Sequence, residues 1–401
     1  MNAHNIRTYA SRKTVRSLYV HVPFCLSRCA YCDFYSVVQL DRALVTDWYE
    51  GVLLELQRIA DEAAVHGVEI APLETLYFGG GTPTVVPPSM VANIIREARS
   101  LFQLAPECEI TVEANPESLL RPTPIAKTLR VAGVTRISLG AQSATDTSLR
   151  LAGRLHTADD TVNAVLSAHE AGFDAISCDF ITGLPDESIK DIDEVLNMVN
   201  TLPLNHVSIY ALSVVSGTRF GELIRRYPER FPDEEIERRM THHLVAGLKS
   251  AGFQHYEISN FARPGAESRH NTVYWEADPY LAAGPSASSY MGGIRRTNPL
   301  SIDKWLRHLY AEEGGPFGAA TIDEIVDEDA ARVETVILAL RLLRGVSRAV
   351  FQERHGVSLD TLFFQTIKSL IAKGLIDDDS EYIRLTSRGF DFADEVARAF
   401  L

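Results

Sequence analysis

Short runs rich in β-branched and aromatic residues alternate with amphipathic stretches along the first half of the chain. Such runs predict buried strands over Leu18–Val22, Thr75–Phe78, Glu109–Glu113, Arg136–Gly140, Ala175–Ile181 and His206–Leu212. Helical spacing of apolar positions predicts helices over Leu44–His66, Ser89–Leu104, Pro124–Ala132, Ala158–Ala171 and Ile189–Thr201. Strands that alternate with helices form βαβ units and a parallel sheet. Six units are too few for a closed eight-stranded barrel, so we predict an α/β fold with a partial, open (β/α)6 barrel.

The pattern changes after about residue 230. We predict a helix over Asp233–Ala251, with Asp233 as its N-cap, and a strand over Phe253–Phe261. Residues 262–300 are rich in Gly, Pro, Ser and Asn and predict loops. The remainder predicts a smaller, mainly helical domain with a wing-like turn, from helices over Ile302–Glu312, Asp327–Leu343, Leu359–Lys373 and Gly389–Phe400 and a strand over Tyr382–Leu385.

These patterns divide the chain into four predicted parts. A polar and basic N-terminal extension covers residues 1–16, and the barrel core covers residues 17–255. A connector follows over residues 256–300, and the helical C-terminal domain covers residues 301–401.

Composition and charge restrict the class of protein. The chain has 401 residues, of which 46% are hydrophobic and 23% charged, as in a globular protein. Its net charge of -14 argues against nucleic-acid binding and allows at most peripheral contact with a membrane. The segment 321–401 is also acidic, with 10 Lys and Arg against 15 Asp and Glu, so the wing is not expected to bind phosphates. Without an apolar span, a signal-peptide core or a disulfide pattern, a cytoplasmic location is expected.

Three of the five cysteines, Cys25, Cys29 and Cys32, lie within eight residues directly after the first predicted strand. Three thiolates on one loop can hold three irons of a four-iron cluster and leave the fourth iron open to an outside ligand. Structural zinc is the alternative, but it normally recruits a second pair of ligands. Because Cys108 and Cys178 each stand alone and are expected to be buried, the spacing favours an iron–sulfur cluster.

Polar residues and glycines follow the predicted strands at their carboxyl ends, where barrel folds carry their active sites. Glu113 and Asp179 end two strands, although a carboxylate there is more often a cap or an ion-pair partner. The run Gly79–Thr82 lacks the Lys of a phosphate-binding loop. It can bring a ligand close to the backbone or simply form a tight turn, and both alternatives remain open. Arg154 can pair with a bound carboxylate or be an ordinary solvated arginine.

The loop-rich connector contains His270, followed by Asn271, Tyr274 and Trp275. Imidazole is a common ligand of haem iron, and neighbouring aromatic rings can pack on a porphyrin face. The alternative is a histidine that is hydrogen-bonded to the backbone within a turn.

With Tyr31 beside the last of them, the three cysteines resemble the signature of the radical S-adenosylmethionine (SAM) superfamily. Within it, the chain resembles the oxygen-independent coproporphyrinogen III oxidase group, over Leu18–Cys32, Phe78–Thr84, Glu113–Glu117, Arg136–Ser143, Asp179–Pro185, Tyr256–Pro264, Arg269–Trp275 and Leu385–Gly389. The resemblance implies a [4Fe–4S] cluster on Cys25, Cys29 and Cys32, whose open iron takes the amino and carboxylate groups of SAM. It implies SAM contacts at Tyr19, Gly80, Gly81, Thr82, Glu113, Gln142, Arg154, Asp179 and Ala211. It assigns no catalytic residue.

Two features separate the branches of this group. The oxidases are longer at the N-terminus and have a further cysteine two residues after the third, where this chain has Phe34. The segments Tyr256–Ala262 and His270–Trp275 resemble the haem chaperone branch instead.

That resemblance implies haem binding, with His270, Asn271, Tyr274 and Trp275 as candidates, an electron donor to the cluster, and haem transfer to a respiratory acceptor protein. The alternative is an oxygen-independent coproporphyrinogen III oxidase that decarboxylates two propionates by 5′-deoxyadenosyl radical chemistry. Phe34 favours the carrier, so coproporphyrinogen III dehydrogenase activity is not expected.

Overall fold

The computed structural model describes residues 14–38, 40–311 and 317–401, so most of the predicted N-terminal extension and the predicted helix end at Glu312 lie outside the described residues. The strands are β1 Val15–Val22, β2 Ile70–Gly80, β3 Leu104–Ala114, β4 Arg136–Gln142, β5 Ala175–Thr182, β6 His206–Ala211, β7 Gln254–Glu257, β8 Asn260–Ala262, β9 Leu281–Ala283, β10 Ser288–Met291, β11 Ile294–Thr297, β12 Thr321–Ile325, β13 Val346–Ser347, β14 Ile376–Asp378 and β15 Tyr382–Leu385. The helices are α1 Arg42–His66, α2 Pro88–Phe102, α3 Pro116–Leu119, α4 Ile125–Val131, α5 Asp146–Leu151, α6 Ala158–Glu170, α7 Ile189–Thr201, α8 Arg219–Arg226, α9 Glu234–Ser250, α10 Arg269–Trp275, α11 Ile302–Tyr310, α12 Glu328–Ala339, α13 Arg348–His355, α14 Leu359–Ala372, α15 Ser387–Asp391 and α16 Ala393–Arg398.

The first six strands are consecutive neighbours in one sheet, and each pair is parallel. This arrangement confirms the predicted partial (β/α)6 barrel. The sheet continues at both ends, because β9 joins β1 in parallel and the hairpin of β7 and β8 joins β6 in antiparallel fashion. Helices connect the parallel strands, as right-handed crossovers require.

Polar side chains alternate with apolar ones along the barrel strands. In β2, Leu76 and Phe78 are fully buried in the apolar core, whereas Thr75 and Tyr77 belong to the opposite face. The same alternation places polar residues and glycine inside the barrel from the other strands: Glu109, Thr111 and Glu113; Arg136, Ser138 and Gly140; Ser177 and Asp179; His206, Ser208 and Tyr210. The inside of the barrel is therefore a polar space rather than a hydrophobic core.

Helix ends follow the expected capping chemistry. The Asp233 side chain accepts a hydrogen bond from the Ile236 amide at the start of α9, which confirms its prediction as N-cap. Asp41 caps α1 in the same way, and that helix ends at Gly67 in the left-handed conformation.

Several predicted elements were wrong in detail. The single strand over Phe253–Phe261 is a hairpin of β7 and β8, because the Glu257 carboxylate accepts from the Ser259 amide and turns the chain. The predicted loop region contains α10 and β9 to β11, whose few residues give no detectable period. The last predicted helix is interrupted at Phe392, which has a non-helical backbone.

Besides a small cluster around Leu184 and Phe220, two larger hydrophobic cores lie in the described residues. The larger fills the space between the barrel sheet and its helices, and it includes Trp305 of α11. The smaller lies between α12 and the C-terminus around Phe351 and Ile383, and the sheet of β13, β15 and β14 forms the wing. The four-part division stays a prediction, but the burial of α11 against the barrel and the pairing of β12 with β11 favour a C-terminal domain that starts after residue 325. Within the described ranges, no helix combines the length and the apolarity needed to cross a bilayer.

Candidate functional site

A cavity of about 530 Å³ opens at the carboxyl ends of the barrel strands. The loop that follows β1 carries Cys25, Cys29 and Cys32 over this cavity, and all three thiols are half-buried. Backbone hydrogen bonds fix the loop: the Cys25 amide donates to the Val37 carbonyl, and the Ala30 amide donates to the Ala152 carbonyl. The structure thus brings the three cysteines to one rim, as predicted. Cys108 and Cys178 are buried in β3 and β5.

The sulfur atoms face hydrogen-bond donors. The Arg154 guanidinium places Nη1 3.2 Å from Cys29 Sγ, and the Thr82 hydroxyl lies 3.6 Å from Cys25 Sγ. A cation and a hydroxyl suit the negative charge of metal-bound thiolates. Burial raises the pKa of the Cys25 and Cys32 thiols, so a metal would have to drive their deprotonation. The donor set therefore fits an iron–sulfur cluster.

The zinc alternative makes a different demand on geometry, because a single ion needs its ligands around one point. In the described part of the chain, no group of three His, Cys, Asp or Glu side chains is placed to hold one metal ion.

The glycine run lies where β2 passes beneath the cysteine loop. A Cβ on Gly80 would lie 2.3 Å from the His21 ring, and one on Gly81 would lie 2.6 Å from the Phe24 carbonyl oxygen. Gly80 also has a φ of +105°, which favours glycine. The amides of Gly81 and Thr82 donate to carbonyls of the cysteine loop, and the Gly80 amide donates to Glu113. Because these three amides are occupied, the run does not form a phosphate cradle. Gly80, Gly81 and Thr82 line the cavity, so close approach of a ligand to this backbone stays a prediction.

Two carboxylates face the cavity. Glu113 accepts from the Tyr77 hydroxyl at 2.7 Å and from the Gly80 amide at 3.1 Å. Burial raises the pKa of Glu113 to about 7, a rise that the Tyr77 hydrogen bond opposes and the Asp179 charge reinforces. Asp179 accepts from the Ser138 hydroxyl at 2.9 Å, and burial also raises its pKa. Neither carboxylate acts as a helix cap or an ion-pair partner among the described residues.

Arg154 connects the cysteine loop to the cavity floor. Its Nη2 donates to Asn115 Oδ1 at 2.5 Å and to the Gly140 carbonyl at 2.9 Å. Its Nε is buried and has no hydrogen-bond partner among the described residues. Arg154 is thus a held, half-buried side chain and not an ordinary solvated arginine.

Other predicted SAM contacts lie around the same space. Gln142 and Ala211 line the cavity together with the residues described above. Gln142 has a φ of +66°, which is unusual for a residue other than glycine. Tyr19 does not line it. Its ring lies deeper in the barrel, stacked on Tyr77 with 6.0 Å between centroids. The SAM roles stay predictions, and the geometry brings together every predicted contact except Tyr19.

The haem candidates lie away from this cavity, on α10. His270 is 1% exposed and reaches back to the middle of β2, where its Nδ1 lies 2.7 Å from the Thr75 hydroxyl. Its Nε2 lies 2.9 Å from the Tyr274 hydroxyl. Trp275 points the other way, beneath the Arg341 guanidinium at 4.3 Å. Asn271 is half-buried in the same helix. Because both imidazole nitrogens of His270 are engaged, this conformation leaves neither for iron.

Sequence reasoning missed side chains that support the predicted site. Tyr77 and Ser138 hold the two carboxylates, and Asn115 holds Arg154. Phe34 was noted only as a branch marker, yet it lines the cavity and is 64% exposed. Alternation within their own strands is the signal for the polar face, because Tyr77 lies between the core residues Leu76 and Phe78, and Ser138 lies between Ile137 and Leu139.

A partial barrel of parallel strands with three clustered cysteines at its carboxyl rim defines a radical SAM protein. In agreement, residues 19–199 match the radical SAM superfamily, and residues 326–392 match the HemN C-terminal domain. Over its whole length the fold is similar to the solved coproporphyrinogen III oxidase HemN from Escherichia coli, with a TM-score of 0.82, 21% identity and 93% of that chain covered. The radical SAM family implies a [4Fe–4S] cluster and SAM.

Similar proteins show which family within the radical SAM superfamily the chain belongs to. The chain is 34% identical to the heme chaperone HemW of Bacillus subtilis, over 96% of this chain and 99% of that protein. It is 35% identical to the heme chaperone HemW of Mycobacterium tuberculosis, over 96% of this chain and 94% of that protein. The chain therefore belongs to the HemW family.

Proposed function

We propose that this protein is a haem chaperone that binds haem and passes it to an acceptor protein, and that it carries a [4Fe–4S] cluster with exchangeable SAM. One observation carries the proposal: relatives with this name match almost the whole chain at about one-third identity. The similarity to the oxidase is at 21% identity and supports the fold alone.

The described residues fit the two cofactors. Cys25, Cys29 and Cys32 would hold the cluster, with the Arg154 guanidinium balancing its negative charge. Glu113 and Asp179 would attract the positive charge of SAM in the cavity below. When bound, the cluster and SAM together supply one-electron chemistry. The chain itself orients the ligand and encloses it within a polar barrel.

The proposal places haem at the motif on α10. His270, Asn271, Tyr274 and Trp275 stay candidates through the resemblance to the haem chaperone branch. For iron to reach His270, the bonds to Thr75 and Tyr274 would have to break, so α10 would have to move away from the barrel. The respiratory acceptor, the electron donor and the cytoplasmic location also stay predictions.

An anaerobic haem titration of the cluster-reconstituted protein, followed by absorbance, tests the proposal. The same sample is assayed for coproporphyrinogen III turnover with SAM and a reductant. We expect stoichiometric haem binding without turnover. Turnover without tight haem binding would assign the oxidase activity instead and overturn the chaperone.

A further inference from the structure

A chain of contacts through the barrel links α10, on the amino-terminal side, to the cavity on the carboxyl side. The Tyr77 ring stacks on the His270 ring, with 4.9 Å between centroids and 24° between planes. The Tyr77 hydroxyl then donates to Glu113 Oε1 at 2.7 Å. Glu113 lines the cavity that also contains the cysteines. Tyr77 and Glu113 therefore connect His270 of the proposed haem motif to the proposed SAM pocket through direct contacts.

His270 is held from several sides. Thr75 and Tyr274 engage its two ring nitrogens, and its amide donates to Glu109 Oε1 at 3.1 Å. Glu109 is itself fixed by a buried ion pair with Arg136. A ring that is locked in this way is a rigid support for the ring that stacks on it.

Tyr77 has little freedom to leave its place. Tyr19 stacks on the Tyr77 ring, 6.0 Å away and inclined by 25°, and also lies 6.5 Å from His270. A Cβ on Gly79 would lie 2.8 Å from the Tyr77 ring, so the backbone already contacts it closely. The tyrosine hydroxyl is consequently fixed in front of Glu113.

We propose that Tyr77 and His270 are positioning residues for the SAM pocket: they hold the Glu113 carboxylate in place through the ring stack and the tyrosine hydroxyl. The proposal rests on the assignment of SAM to the cavity in the proposed function. It gives His270 a role inside the barrel that needs no contact with haem iron.

The groups that face Glu113 come from several elements. They are Tyr77 and the Gly80 amide of β2, Asp179 of β5, Tyr19 of β1, Tyr210 of β6 and Tyr274 of α10. Of these, Tyr77 alone donates a side-chain hydrogen bond to the carboxylate among the described residues. Removal of the Tyr77 hydroxyl is therefore the most specific way to perturb the position of the Glu113 carboxylate.

The test measures SAM affinity of the cluster-reconstituted protein as a function of pH for Tyr77→Phe and His270→Asn. Tyr77→Phe keeps the ring stack and loses one hydrogen bond, so we expect SAM to bind roughly threefold to tenfold more weakly. The pH midpoint of SAM binding should also rise, because a donor to the carboxylate is lost. His270→Asn, which removes the stacking ring, should change both quantities in the same direction.

Tyr49→Phe is the matched control, since the Tyr49 hydroxyl also makes one side-chain hydrogen bond, with Asn93 Nδ2 at 3.0 Å, but Tyr49 lies in α1 and does not line the cavity. It should bind SAM like the wild type. Unchanged affinity and an unchanged pH midpoint in Tyr77→Phe would overturn the proposal, as would equal weakening in all three variants.

Two binding measurements on the wild type distinguish a failure of this inference from a failure of the proposed function. If the wild type with an intact cluster binds no SAM, the assignment of SAM to the cavity is wrong and the positioning role falls with it. Haem binding by the wild type is measured separately and tests the chaperone alone.

Discussion

At the scale of single residues, the surroundings of the Cys29 sulfur favour its role as a cluster ligand. The Arg154 guanidinium lies 3.2 Å from it and is itself held by Asn115 and the Gly140 carbonyl. A serine at position 29 would present a poorer ligand to the same cation. We expect Cys29→Ser to lose most of its iron and sulfide after reconstitution, because two thiolates remain for a site that uses three.

Iron and sulfide analysis after anaerobic reconstitution measures this loss. Cys108→Ser is the control, since Cys108 lies in β3, away from the cavity, and is buried. Full cluster content in Cys29→Ser, with a normal wild type and control, would show that the loop is not the cluster ligand.

Glu113 leads to a pH prediction. Its pKa is raised to about 7, first by burial, so the carboxyl is charged above that pH and neutral below it. Because SAM carries positive charge, its attraction to this group is lost as the pH falls through about 7. If the neutral form does not bind, we expect SAM affinity to be roughly tenfold lower at about pH 6 than at about pH 8.

Calorimetric or EPR titration of SAM across this range provides the measurement. Glu113→Gln should bind more weakly and lose most of the pH dependence. A profile that is unchanged in this variant would assign the titration to another group, such as Asp179.

At the scale of elements, the sequence was sufficient for the six barrel strands because each is flanked by a long amphipathic helix. It was insufficient for α10, whose seven residues form no clear period and whose position depends on the chain returning to the middle of β2. The cysteine loop could be placed at the carboxyl rim, since every βα loop of a parallel barrel lies there. The polar interior could not be found from single strands, because the contact of Tyr77 with Glu113 joins β2 to β3 and depends on their register.

The junction between α1 and the chain around β9 depends on one buried carboxylate. Glu55 of α1 accepts hydrogen bonds from the Gly284 and Ala319 amides, Asn298 Nδ2 and Trp305 Nε1, at 2.7 to 3.2 Å. Glu55→Ala would leave these donors buried without a partner, at about 1–3 kcal/mol for each group that finds no water. We expect the free energy of unfolding to fall by about 3 kcal/mol or more.

Chemical denaturation at fixed pH measures this difference. Glu62→Ala is the control on the same helix, since Glu62 is only half-buried and pairs with His66 at the surface. We expect the control to change stability by less than about 1 kcal/mol. Equal stability of Glu55→Ala and the control would show that solvent replaces the lost carboxylate.

At the scale of the whole molecule, α10 lies between the barrel and the C-terminal unit. His270 reaches into the barrel, whereas Trp275 packs against Arg341 at the end of α12. Arg354 of α13 provides a further contact with the residues that follow α10, because it donates to the Ala277 carbonyl at 3.3 Å and to Asp278 at 2.6 Å. A change in the position of the C-terminal unit would therefore reach the candidate haem motif first.

This arrangement predicts that the C-terminal unit controls how often α10 opens. Arg354→Ala removes hydrogen bonds of a charged group, each worth about 1.5–3 kcal/mol, from the end of α10. We expect amide hydrogen exchange over residues 269–275 to become roughly tenfold faster or more, while exchange in the barrel strands stays unchanged. Mass spectrometry of peptides that cover this segment measures the rate.

The control is Arg384→Ala, which removes an exposed ion pair with Asp379 in the same unit and should leave the exchange rate of this segment unaffected. Equal rates in both variants would mean that α10 is held by the barrel alone, so that haem access to His270 would not depend on the C-terminal unit.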